Sequence, residues 1–138
     1  MRLTRLLPLC FLPLLAACVN DRVAFDVPDT SETITLIREQ PRFWEDKVEL
    51  SLVIARMPDC MRRHPPVNGL ANTVVELYQF APTTYVVKIG EQMWATETRT
   101  CEGFAPMKEA PAEGMGNKLG RWQQRGETLE FVAEKAPG

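Results

Sequence analysis

The residues best suited to do chemistry form a basic cluster, Arg62, Arg63 and His64, shortly after Cys60. Guanidinium groups bind carboxylates and phosphates with paired hydrogen bonds. The cluster therefore predicts a docking site for an anionic group, such as a lipid phosphate or an acidic partner. The alternative is that both arginines form ion pairs with carboxylates near the cysteines in sequence. These carboxylates are Asp59, Glu97 and Glu102.

His64 is the only histidine, and no motif in the sequence identifies a catalytic centre. The chain contains no phosphate-binding glycine loop, no His-Glu-x-x-His zinc motif and no acidic calcium loop. Linear spacing alone also identifies no Ser-His-Asp or Cys-His arrangement. We therefore expect no catalytic residues, no metal and no cofactor, and a protein that is not an enzyme.

The start of the chain has the pattern of a removable secretion signal. Arg2 and Arg5 give it a positive segment, and residues 6–15 form an apolar run that contains two prolines. This run is well short of the roughly 20 apolar residues that a membrane-spanning helix needs. We therefore predict that residues 1–17 are a signal peptide.

The next feature is the sequence Leu15, Ala16, Ala17 and Cys18, which resembles the lipobox of bacterial lipoproteins. The resemblance implies that Cys18 is acylated, for example with palmitate, and becomes the first residue of the mature protein. In that class an Asp after the cysteine retains the protein at the inner membrane, whereas here the residue is Val19. The resemblance thus implies an anchor in the outer membrane and a domain facing the periplasm. An ordinary cleavage site beside a chance cysteine is the alternative.

The four cysteines have separate fates under this interpretation. Cys10 leaves with the signal and Cys18 carries lipid, so that Cys60 and Cys101 remain. An even pair in an oxidising compartment predicts a disulfide, which at this spacing stabilises the fold by about 4 kcal/mol in the chain-entropy treatment. The alternative, a metal site at Cys60 and His64, lacks further clustered ligands.

Length and charge limit what the mature domain can be. The chain has 138 residues and a net charge of −2, and it becomes more acidic when the signal arginines are removed. This size predicts one domain, and the acidity disfavours nucleic acid, which calls for a basic surface. No apolar run after residue 18 is long enough to span a membrane, so attachment depends on the lipid.

Residue patterning predicts a small all-β domain, an antiparallel barrel or sandwich of about six strands. Residues 18–30 are expected to be the lipidated N-terminus and a tether, and residues 31–138 the single domain. Residues 61–71 and 102–118 contain several prolines and glycines and are expected to be loops.

The first half of this domain contains one clear strand and one ambiguous segment. Residues 30–40 suit a strand or a short N-terminal helix, whereas clean alternation predicts a strand over 47–55. Phe43 and Trp44 precede that strand, and we expect them to fill the core beside it rather than to bind a partner.

The second half contains hairpins whose turns fix the register. A two-residue turn at 90–91 pairs Val87 with Trp94. A four-residue loop at 81–84 pairs Tyr78 with Val87. The resulting apolar face consists of Val74, Tyr78, Phe80, Tyr85, Val87, Ile89 and Trp94.

The C-terminal hairpin is predicted in the same way. A turn at 125–126 pairs Trp122 with Leu129 and Gly120 with Phe131, which leaves room for the ring over the glycine. We expect Trp94, Trp122, Tyr78 and Val87 to be buried.

The leading functional hypothesis is a non-enzymatic cell-envelope lipoprotein whose β domain binds another envelope component, a protein or a glycan. Residues 59–64 and 77–94 are similar to uncharacterised proteobacterial lipoproteins, a resemblance that implies no activity. The alternative is a lipoprotein that binds a small molecule or glycan through a barrel mouth or an aromatic face. A concave apolar pocket favours the second hypothesis, and a flat apolar or basic patch favours the first.

Overall fold

The computed structural model describes residues 19–135. The predicted signal peptide and Cys18 lie outside these residues. The described range contains eleven strands and no helix. The strands are β1 (Asn20–Asp26), β2 (Glu32–Glu39), β3 (Lys47–Arg56), β4 (Cys60–Arg63), β5 (Val67–Leu70), β6 (Val75–Ala81), β7 (Thr84–Ile89), β8 (Gln92–Glu97), β9 (Phe104–Met107), β10 (Asn117–Arg125) and β11 (Thr128–Ala133).

The strands form two antiparallel sheets packed as a sandwich. Sheet A has the order β1-β2-β3-β4, and β5 pairs with the other half of β3; sheet B has the order β11-β10-β6-β7-β8-β9. The all-β antiparallel class predicted from the sequence is confirmed. The sheets do not close, so the structure is a sandwich and the barrel alternative is not confirmed.

The core lies between the sheets and follows the alternation predicted for 47–55. The inward side chains of β3 are Val48, Leu50, Leu52 and Ile54. Val87 and Trp122 of sheet B are fully buried in the same cluster, as predicted, whereas Trp94 and Tyr78 are half-buried. Removal of this apolar surface from water is the main favourable contribution to folding.

The register predicted for the β7–β8 hairpin is confirmed. Val87 pairs with Trp94 and Ile89 with Gln92. Gly90 begins the turn with a φ of 60°, a backbone conformation that glycine adopts at no steric cost.

The register predicted for β6 and β7 is wrong by one residue. The turn contains only residues 82–83, which by itself would leave the predicted register unchanged. Tyr78 pairs with Val86 rather than Val87 because the register shifts at a bulge around Phe80, between Gln79 and Ala81. A shift of one residue moves side chains to the opposite face of a sheet. Val74, Tyr78 and Phe80 consequently lie outside the core, and Val75 and Leu77 replace them inside.

The C-terminal turn lies one residue later than predicted, at 126–127. Trp122 therefore pairs with Phe131 rather than Leu129. A change of two residues in the partner preserves the face, so Trp122 still points into the core. The predicted pairing of Gly120 with Phe131 is wrong, because Gly120 pairs with Ala133. A Cβ atom on Gly120 would still lie 2.5 Å from the Phe131 ring, so the predicted close approach of ring and glycine is confirmed.

The prediction of a tether is wrong, because most of that segment forms β1. This strand pairs with β2 along its full length, and the Val19 carbonyl accepts a hydrogen bond from the Gln40 amide at 2.8 Å. Val23 and Phe25 pack against the core, and the residues between and around them are more exposed. The folded domain therefore includes residues that directly follow Cys18.

Of the two alternatives for residues 30–40, the structure contains the strand and no helix. Two further segments differ from their expected structure. Residues 61–71 contain β4 and β5 rather than a loop. The loop expected at 102–118 includes β9 and the start of β10. Gly116 lies so close to β6 that a Cβ atom there would be 2.3 Å from the Gln79 carbonyl oxygen.

Candidate functional site

The disulfide predicted between Cys60 and Cys101 is present, with the two Cα atoms 5.9 Å apart. Cys60 begins β4 at the edge of sheet A, and Cys101 lies in the segment between β8 and β9 of sheet B. The bond therefore ties the two sheets together at one side of the sandwich. We call the surface formed by residues 61–63 at this side the β4 edge.

The two arginines of the basic cluster point to different surfaces. Arg62 lies 3.8 Å from the Glu102 carboxylate beside the disulfide. Arg63 lies on the outer face of sheet A, 2.9 Å from Glu39 and 3.3 Å from the Ser51 hydroxyl. Both ion pairs are exposed to solvent. The structure therefore does not bring the cluster together as a single anion site, and Arg62 has one of the partners expected in the alternative interpretation.

His64 is buried rather than exposed. Its ring stacks on Phe104, which stacks in turn on Trp94, with centroid distances of 4.9 Å and 4.8 Å. Burial lowers the pKa of His64 and outweighs the raising effect of a hydrogen bond with the Cys101 main chain, so the ring is neutral at pH 7. No group of three or more His, Cys, Asp or Glu side chains that could hold a metal occurs within residues 19–135.

The segment that carries Cys101 is organised by the Glu97 carboxylate. It accepts hydrogen bonds from the Thr100 amide at 2.8 Å, from the Thr100 hydroxyl at 2.5 Å and from the Gly103 amide at 3.1 Å. Burial by itself raises the pKa of Glu97, but these hydrogen bonds lower it to about 2. Glu97 is thus ionised at neutral pH, and it fixes the turn from which the disulfide reaches β4.

The backbone of the β4 edge is available for pairing. The His64 amide donates to the Leu52 carbonyl at 2.9 Å, which fixes the phase of the β3–β4 ladder. Since hydrogen-bonded and non-hydrogen-bonded pairs alternate in an antiparallel ladder, the main-chain groups of Met61 and Arg63 point away from β3. The Met61 side chain is 63% exposed.

Phe43 and Trp44 are exposed, so the expectation that they fill the core is wrong. They lie between Arg42 and Glu45, and the Glu45 amide donates to the Arg42 carbonyl at 3.1 Å to close a turn. Their rings contact edge to face, with centroids 5.0 Å apart. The exposure of the two rings could not be predicted from the sequence, because an aromatic pair before a strand is equally consistent with burial.

Glu32 is a buried carboxylate that the sequence analysis missed. It accepts hydrogen bonds from the hydroxyls of Tyr85, at 3.1 Å, and of Thr98. Burial, followed by the charge of Glu32, raises the pKa of Tyr85 well above its usual value. The group therefore links β2 of sheet A to β7 of sheet B through polar contacts inside the core.

Arg38 is a second buried charged residue that was not predicted from the sequence, and it is only 1% exposed. Its guanidinium donates to the Asp21 carboxylate, to the Ala71 carbonyl at 2.6 Å and to the Glu127 carbonyl at 3.1 Å. Period-two alternation places both Arg38 and Glu32 on the apolar face of β2. That alternation was the signal that could have identified them.

The concave regions of the described surface have mixed polar and apolar linings. One, of about 510 Å³, lies over the outer face of sheet B. Its lining consists of Val74, Glu76, Lys88, Gly90, Glu91, Arg121 and Gln123. This is neither the barrel mouth nor the aromatic face that the small-molecule hypothesis requires, since Tyr85, Val87 and Ile89 lie in the core.

Comparison with protein-family models, curated proteins and solved structures finds no match to this chain. Within residues 19–135 no helix has the length and apolar character needed to cross a bilayer. The activity of the protein therefore has to be inferred from its own surfaces.

Proposed function

We propose that the protein is a non-enzymatic cell-envelope lipoprotein that binds another envelope protein. In this proposal acylated Cys18 anchors the chain in the outer membrane, and the sandwich faces the periplasm. The β4 edge binds an extended segment of the partner as an added strand. The observation that carries the proposal is an exposed edge strand with outward main-chain groups, fixed in place by a disulfide.

Strand addition fits the chemistry of the β4 edge. An extended peptide gains affinity from main-chain hydrogen bonds with an open edge and specificity from side chains on alternate faces. Met61 and Arg63 supply the outward main-chain groups, and the Cys60–Cys101 bond reduces the entropy lost on binding. Met61 is also a flexible apolar side chain suited to irregular contacts.

The charges of this edge favour a partner segment that carries carboxylates. Short, charged edge strands also protect proteins from unwanted pairing, so selectivity is expected rather than general adhesion. The ion pairs of Arg62 with Glu102 and of Arg63 with Glu39 are exposed, and such pairs contribute about 1 kcal/mol or less. Carboxylates of a partner can therefore replace Glu102 and Glu39 at small cost.

Site-directed photocrosslinking in intact cells tests this proposal. We expect a photoreactive residue in place of Met61 to form an adduct with an envelope protein, and one in place of Glu127, at the other end of the sandwich, to form none. In the Met61-labelled chain, Arg63→Pro should abolish the adduct because it removes an outward N–H group. Arg63→Ala, which removes the charge alone, should weaken it less.

Two results would contradict strand addition at the β4 edge. One is an adduct of equal intensity from both labelled positions. The other is an adduct that survives Arg63→Pro unchanged. Circular dichroism of each variant establishes that the sandwich is still folded.

A further inference from the structure

The anchor residue adjoins one end of the sandwich without an intervening tether. Val19 is already hydrogen-bonded to Gln40, and Asn20 begins β1. Consecutive Cα atoms are about 3.8 Å apart, so lipid on Cys18 would be attached within one residue of folded sheet. An anchor this short confines that end of the domain to the membrane surface.

The exposed aromatic turn lies at this same end. It belongs to the β2–β3 connection, which begins at Gln40, the residue bonded to Val19. The Gln40 side chain also donates to the Glu45 carbonyl at 2.5 Å, which braces the turn. Phe43 is 62% exposed and Trp44 is 69% exposed.

Two more exposed apolar residues share this end. Leu70 pairs with Lys47, the first residue of β3, and the Val74 carbonyl accepts a hydrogen bond from Gly90 in the β7–β8 turn. We call the surface made of Phe43, Trp44, Leu70 and Val74 the anchor end. The other large exposed apolar residues within 19–135, Met57, Met61 and Phe80, lie toward the opposite end.

We propose that the anchor end rests in the interfacial layer of the bilayer, with Phe43 and Trp44 inserted among the lipid headgroups. This inference depends on the lipid anchor of the proposed function. The occupant is a lipid surface because the chain enters the fold beside the aromatic turn, one residue after Cys18. Tryptophan favours this layer, where its ring contacts hydrocarbon and its N–H remains in a polar environment.

The charges around the turn indicate which force holds the contact. Arg42 and Lys47 flank the aromatic pair, and Glu45 and Asp46 lie between them. Two positive and two negative groups give no net attraction for anionic lipid. The contact is therefore apolar, and raising the salt concentration should leave it unchanged.

Fluorescence quenching of the lipidated mature protein in phosphatidylcholine vesicles tests the contact. Brominated acyl chains should quench the protein's emission, and Trp44→Phe should remove most of this quenching. Of the two remaining tryptophans, Trp94 is half-buried and Trp122 is buried. As a matched control, Trp44→Phe combined with Phe80→Trp places an indole at the opposite end, where we expect no quenching.

The outcomes separate this inference from the proposal on which it rests. If the lipidated protein floats with vesicles but Trp44→Phe leaves the quenching unchanged, the membrane contact is refuted and the anchor stands. If Cys18→Ala is cut and released at its normal size, or the wild-type protein fails to float, the anchor is refuted and the contact with it. Quenching that disappears in high salt would refute an apolar contact.

Discussion

At the scale of single residues, the hydroxyl of Tyr85 is expected to contribute clearly to the stability of the fold. It donates to the buried Glu32 carboxylate, so Tyr85→Phe leaves Glu32 short of one donor inside the core. We expect a loss of about 1–3 kcal/mol in the free energy of unfolding at pH 7, measured by urea titration. Tyr78→Phe, on the outer face of sheet B, is the control and should cost less.

Tyr85 should also make the free energy of unfolding depend on pH in alkaline solution. Burial and Glu32 raise the pKa of Tyr85 in the folded state from its usual value of 10.0. Stability from Tyr85 is therefore fully present below pH 10 and decreases above it, because only the unfolded chain then loses the proton. The decrease above about pH 10 should be shallower in Tyr85→Phe. An unchanged pH profile would contradict the buried hydrogen bond.

The sequence was informative about residues whose role depends on local rules. Val87 and Trp122 are buried as predicted, and Cys60 and Cys101 are bonded as predicted. It was uninformative about Phe43 and Trp44, because the side on which a turn lies depends on the neighbouring strands. Residue types alone could not show whether any surface covers them.

At the scale of elements, the Cys60–Cys101 bond fixes the edge strand on which the proposed partner binds. The double variant Cys60→Ser and Cys101→Ser should lose about 2–5 kcal/mol of stability. We also expect the loss of the bond to speed amide hydrogen exchange at Arg62 and His64, whose amides face β3, more than in the centre of β3, since a four-residue strand has few contacts to hold it.

Reduction supplies the control for this variant. A reducing agent should lower the melting temperature of the wild-type protein to about that of the double variant. The same agent should leave the melting temperature of the double variant unchanged. A reducing agent that destabilises both proteins equally would show that the effect arises elsewhere. Equal exchange rates with and without the bond would show that β4 is held by its pairing with β3 alone.

Element boundaries were predictable where a turn determined the pairing. The two-residue turn at 90–91 fixed the β7–β8 register, whereas the C-terminal turn at 126–127 was misplaced by one residue. The β6–β7 register shifted because of a bulge at Phe80, which the turn does not reveal. β1 and the short strands at 60–63 and 67–70 contain many polar residues, and their pairing depends on the open edges of β2 and β3. Such pairing is not encoded in their own patterns.

At the scale of the whole molecule, alternation and turns were sufficient for the fold class but not for its closure. Whether two sheets become a barrel or a sandwich depends on pairing between their edge strands, which the alternation of each strand does not specify. The same strand directions separate the two proposed contact surfaces of the molecule. They place Val19 and the aromatic turn at one end, with the β4 edge toward the other.

Arg38 holds the anchor end together, and its removal should affect the whole domain. Its guanidinium joins β1, the connection between the sheets at Ala71 and the β10–β11 turn at Glu127. Arg38→Leu leaves Asp21 and two carbonyls without this donor, so we expect a loss of about 3–5 kcal/mol. Arg125→Leu removes an exposed ion pair with Glu130 and should change stability by about 0.5 kcal/mol or less. Urea titration of both variants compares them directly, and equal losses would show that Arg38 does not join the two sheets.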